Sequence, residues 1–217
     1  MLALGIVALT AAMLGSFLHR WLWRHTPKLA GAPMPAIVVD LGAGIATAVL
    51  VTAAVATERA GWSGLAYSFF AIVAVQLSVI DWRLRILPNI LVLPSGLIGL
   101  VLLVASAAFE DRWADLVRAL TGAVLLFLLY LVLALVSPKS LGMGDVKLAG
   151  IVGLYLAFQG WTSLLLGAAT GFLIGALIGV ALLSARRAGP KSMIPFGPSI
   201  LTGAALVLFL MHGSVLR

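Results

Sequence analysis

The sequence predicts an all-α fold, a polytopic transmembrane helical bundle of about eight spans with its N-terminus outside. Three observations carry that expectation. Apolar residues fill 63% of 217 positions and charged residues 10%, where soluble domains run at roughly 45–50% and 25%. The mean hydropathy of +1.18 excludes a water-soluble globular protein. The apolar residues also come in unbroken runs instead of alternating, which excludes an outer-membrane barrel.

The runs fall at 2–18, 36–56, 63–80, 90–109, 119–137, 148–160, 162–183 and 198–215, separated by charged or Pro/Gly breaks. No basic segment precedes the first, and Arg20 and Arg24 follow it, so it reads as a retained helix and not a signal peptide. The second carries Asp40 about a turn inside its start, and the third runs to Asp81. The fourth starts after Pro88-Asn89, and the fifth after Arg118. The sixth is the shortest, opens near Asp145, and meets the seventh at Gly160-Trp161. The seventh holds Gly167, Gly171, Gly175 and Gly179, a ridge for close helix packing within the bundle or between protomers. The eighth follows Phe196-Gly197-Pro198. With no long linker or fold-scale repeat, 1–217 reads as one membrane domain.

The net charge of +7 is topological. The segments 19–35, 81–89, 138–147 and 184–197 fall on one side and hold ten Lys and Arg, and the other side holds four. An excess of that sign marks the cytoplasmic face and leaves no case for a nucleic-acid partner. All six Trp stand near span ends, as membrane-interface residues do.

Chemistry has few residues to work with. The absence of Cys removes disulfides, thiolate nucleophiles and Cys-bound zinc, and three scattered His give a metal site little support. No cofactor is called for. Glu58, Glu110, Asp111 and Asp115 lie in outer loops beside basic residues. Asp40, Asp81 and Asp145 remain, and a carboxylate in or at the edge of an apolar helix suggests a site. Asp40 either joins that site or, the favoured reading, pairs with Arg20, Arg24 or Lys28. Asp81 and Asp145 share the cytoplasmic boundary. Two carboxyls in contact tend to share a proton, so one deprotonates water while the other donates to the carbonyl under attack. Asp145 opens a helix and Asp81 closes one, a dipole contrast that makes Asp145 the preferred base.

The local motifs sharpen this. Gly142-x-Gly144-Asp145 continues as Val146-Lys147-Leu148, and Asp81 is followed after six residues by Pro88-Asn89. Gly15-Ser16-Phe17-Leu18 stands near the start and Ile194-Pro195-Phe196-Gly197-Pro198 precedes the last span. Together these resemble the type IV prepilin peptidases, membrane aspartic peptidases that process type IV pilins, pseudopilins and archaeal preflagellins. The resemblance implies Asp81 and Asp145 as the catalytic pair and Gly142 and Gly144 as shaping their loop. Lys147, Pro88 and Asn89 are motif residues, Lys147 without an assigned role. It further implies an inner-membrane endopeptidase facing the cytoplasm, with a prepilin or pseudopilin precursor as partner. That enzyme cuts a short basic leader ahead of a hydrophobic helix.

Two departures stand out. Bifunctional members carry a large insertion after the first span, often with paired CxxC motifs, and N-methylate the product. Here 19–35 is short and Cys-free, so methyl transfer is not expected. His19 stands where the motif has Asn. Among competing readings, Gly61-Trp62-Ser63-Gly64 with His212, or Ser140 with Lys147, offers a serine peptidase, but such short matches arise easily in this composition. A transporter or scaffold using Asp40, Asp81 and Asp145 for protons or ions is the alternative of another class.

Overall fold

The computed structural model describes residues 2–25, 37–58, 61–137, 141–184 and 196–210. Its helices are α1 (Leu2–His25), α2 (Ile37–Glu58), α3 (Trp62–Leu84), α4 (Asn89–Phe109), α5 (Trp113–Val136), α6 (Met143–Gln159), α7 (Trp161–Ser184) and α8 (Gly197–Ala205). A π-helical turn, Leu206–Leu210, continues α8. The fold is an all-α polytopic bundle. Among the described residues, six helices, α1 to α5 and α7, are long and apolar enough to cross a membrane. The other two of the eight expected spans are shorter, and α6 with its 17 residues covers about 25 Å.

Several ends move from their sequence-based positions. α1 runs on through Arg20 and Arg24 to His25, because charged residues at a membrane interface do not interrupt the backbone ladder. α6 begins at Met143 instead of 148, which puts Asp145 inside its first turn. The last span was expected to reach 215, and residues 211–217 lie outside the described ones.

Large apolar side chains point outward, as expected where lipid is the solvent: Leu165 of α7 and Val117 of α5 are 70% and 65% exposed. α3 and α6 lie at the centre, with Tyr67, Phe70, Tyr155 and Phe158 buried. Tyr67 donates its hydroxyl to Tyr155 O at 3.2 Å, which ties the two helices together. Small residues set the other distances. A Cβ on Gly153 would stand 2.6 Å from Gly122 O, so α5 and α6 pack almost backbone to backbone. The α7 ridge packs inside the bundle, where Gly167 meets Leu156 and Gly175 meets the Phe196 ring. Trp21, Trp62, Trp82, Trp113 and Trp161 all stand exposed near helix ends.

Candidate active site

Asp81 lies in the last turn of α3 and is 4% exposed. The helix stops because Arg85 adopts the left-handed conformation (φ 53, ψ 36), with its N–H donating to Asp81 O at 2.8 Å. Three residues later Pro88 caps α4, and its carbonyl accepts the N–H groups of Leu91 and Val92 at 2.9 and 3.1 Å. The Asp-x6-Pro-Asn spacing is therefore the length of one tight helix-to-helix connection. The Asp81 carboxylate accepts the Gly197 N–H at 3.0 Å. Gly197 opens α8, Pro198 has no N–H, and the Ser199 N–H is bonded to Phe196 O at 3.1 Å. Gly197 thus supplies the free donor at that helix end. A Cβ there would stand 2.7 Å from Asp81 Oδ2, so the close approach requires glycine.

Asp145 is half-buried in the first turn of α6, whose N-cap is Gly142. Its Oδ2 accepts the Gly142 N–H at 3.0 Å, the carboxylate half of a capping box. Gly144 lies against the α3–α4 connection, and a Cβ on it would meet Leu87 Cβ at 2.8 Å. Gly142 differs: its backbone is extended (φ −87, ψ 157) and a Cβ would meet nothing nearer than 3.6 Å. Close approach is thus the task of Gly144 alone.

The two connections meet in one place. Asp81, Arg85, Leu87, Pro88, Gly142, Gly144 and Asp145 line a single open cleft of about 290 Å³. The charges of Asp81 and Asp145 act on each other across it. Lys147 lies beside it and donates Nζ to Asn89 Oδ1 at 3.0 Å, which bridges the two motifs. A pair of interacting carboxyls beside room for water and a chain fits hydrolysis by two acids.

As expected from the sequence, Asp81 closes α3 and Asp145 opens α6, but a second helix start offsets the dipole contrast between them. α8 points its N-terminus at Asp81 as α6 does at Asp145, so each carboxylate holds one main-chain N–H. The sequence showed the Phe-Gly-Pro run without its task, because a backbone donor leaves no side-chain signature.

Among the described residues, Asp40, His19 and Ser63 do not line this cleft. Asp40 is buried and accepts Arg20 Nε at 2.7 Å, the pairing favoured above. His19 donates Nδ1 to Gln76 Oε1 at 2.9 Å, Gln76 donates to Gly15 O at 3.2 Å, and Ser16 Oγ donates to Asp40 O at 3.1 Å. The Gly15-to-Arg20 stretch therefore fastens α1 to α2 and α3. Ser63 is buried and gives its N–H to Glu110 Oε1 at 2.9 Å, an anchor between α3 and the end of α4. Ser140, His212, Lys28, Ile194 and Pro195 lie outside the described residues.

Comparison with known proteins agrees with these motifs. The model of the type IV leader peptidase family matches residues 68–185. A prepilin leader peptidase/N-methyltransferase of Aeromonas hydrophila is 32% identical over 91% of this chain and 66% of its own length. Proteins of the same description from Pseudomonas putida and Pseudomonas aeruginosa are 35% and 36% identical, each over 57% of this chain and 42% of their own. The chain thus spans between two fifths and two thirds of these relatives. No solved structure matches it. The family match runs from within α3 to α7 and takes in both aspartates, and on that ground the chain belongs to the type IV leader peptidase family.

Proposed function

We propose that this protein is an aspartic endopeptidase that removes the short basic leader from type IV prepilin or pseudopilin precursors. The observation that carries the reading is the one cleft lined by both Asp81 and Asp145. In this mechanism one carboxylate takes a proton from water as the oxygen attacks the scissile carbonyl carbon. The other, protonated, donates to the carbonyl oxygen and gives a tetrahedral diol. Collapse breaks the C–N bond, the nitrogen takes a proton from the first residue, and the second regains one from the diol. Water and peptide become acid and amine with the pair restored. Gly197 and Gly142 orient the two carboxylates through their N–H groups, and the bridge from Lys147 to Asn89 holds the connections together.

The basic-residue asymmetry supports a cleft on the cytoplasmic face of the inner membrane with the N-terminus outside. The short, Cys-free 19–35 interval supports cleavage without methyl transfer, unlike the double activity in the relatives' names. Co-expression with a type IV prepilin, followed by amino-terminal sequencing of the product, tests the reading. A leader removed at one site is the expected result, and an intact precursor beside folded, inserted enzyme overturns it.

A further inference from the structure

Beyond Asp81 the cleft gives way to a second hollow. This hollow, of about 440 Å³, lies between α2, α3 and α8, and none of the described residues lining it is charged. Its floor on α3 includes Ser78, one turn before Asp81, and its wall on α8 includes Leu201, one turn after Gly197. Asp81 and Gly197 are themselves hydrogen-bonded, so the groove starts where the cleft stops. It runs on to Ala74 and Leu206, which is about 10–13 Å along the two helices.

The remaining wall is α2, and it presents two small residues four positions apart, Gly42 and Ala46. A Cβ on Gly42 would meet nothing within 4 Å among the described residues, and Ala46 is exposed. Other glycines are covered, Gly15 by Thr47 and the α7 ridge by Leu156, Ile200 and Phe196, while Gly5, near the start of α1, is open but lies away from the cleft. Small residues spaced in this way admit a helix backbone at close range.

We propose that this groove seats the transmembrane helix of the protein substrate, immediately beyond the bond that is cut. The proposal rests on the peptidase reading above. A chain cut beside Asp81 passes from a cleft holding Arg85 and two aspartates into an uncharged groove within the bilayer. There its backbone must satisfy its own hydrogen bonds, so the occupant is helical and its side chains apolar. The polar-to-apolar change falls at Asp81, where the leader ends and the helix begins.

The absence of native cysteine makes an introduced one unique. Ala46→Cys and Thr202→Cys, each with Asp145→Asn to retain the precursor, are oxidised in membranes with a prepilin bearing one cysteine within two turns after the cut. The expected result is a disulfide adduct from both positions and none from Leu173→Cys, on the exposed face of α7. Equal reaction at Leu173→Cys, homodimers through Ala46→Cys, or no adduct while the wild-type enzyme cleaves the same precursor would each overturn the groove and leave the peptidase standing. Failure of the wild-type enzyme to cleave overturns the peptidase reading, and the groove with it. As a second readout, Ala46→Trp is expected to raise KM for the membrane-embedded precursor about tenfold with kcat nearly unchanged. An unchanged KM in the folded variant contradicts the proposal.

Discussion

Lys147 donates its Nζ to Asn89 Oδ1 at 3.0 Å, across 58 residues of sequence. Lys147 lies two residues beyond Asp145, and Asn89 opens the helix that follows the Asp81 connection. The bond joins the two segments whose relative position sets the distance between the carboxyls.

Breaking that bond is expected to slow leader processing without abolishing it. Lys147→Met and Asn89→Ala should each lower kcat/KM about fivefold, the effect of roughly 1 kcal/mol of positioning. The double variant should be no slower than either single one, since both remove the same interaction. Multiplied losses in the double variant would show that the two residues act separately.

The three glycines around the carboxyls should differ in tolerance. Gly197→Ala drives a methyl against Asp81 and should lower processing at least tenfold, and Gly144→Ala, against Leu87, should also impair it. Gly142→Ala makes only ordinary van der Waals contact, nearest at 3.6 Å, and should stay within about twofold of wild type. A processing assay on the three variants in detergent gives the ranking, and an inactive Gly142→Ala beside an active Gly197→Ala would contradict it.

The product is expected to keep a free amino terminus. Mass spectrometry of product made by the purified enzyme with S-adenosylmethionine checks this, and a peptide heavier by one methyl substitution contradicts it.

Glu110 provides a pH-dependent stability test at the opposite end of α3. Burial alone would raise its pKa, but hydrogen bonds from the Ser63 N–H, the Ser106 and Ser63 hydroxyls and the Trp62 N–H outweigh it and hold the carboxyl below its ordinary value of 4.5. A group depressed in this way contributes stability above the unfolded value, and that contribution is lost as pH falls through the folded one. Glu110→Gln should therefore lower the melting temperature by about 2–4 °C near pH 7. The gap should close below pH 4.5, and thermal unfolding in detergent across that range reads it directly.

Much of the fold was legible because long apolar runs leave few alternatives to membrane helices. Ends were less so. A hydropathy reading starts the sixth span at 148, but Asp145 lies in the first turn of α6 and Lys147 just after it, where polar residues complete the cap and reach across to Asn89. Asp81 and Asp145 stood out because carboxylates are expensive in apolar surroundings. Gly197 showed only as part of a motif without a task, since its contribution is a main-chain N–H delivered to Asp81 from 116 residues away. Ser63 shows the converse: its motif suggested a nucleophile, and packing makes it an anchor for Glu110.

The most direct test of Asp81 and Asp145 as one catalytic pair is prepilin processing by purified Asp81→Asn and Asp145→Asn enzymes. Asparagine preserves shape and the acceptor for the Gly197 or Gly142 N–H, so folding and insertion should persist in both. We expect each single substitution to abolish leader removal, because hydrolysis requires an acid and a base together. Full processing by either folded variant would contradict the pair.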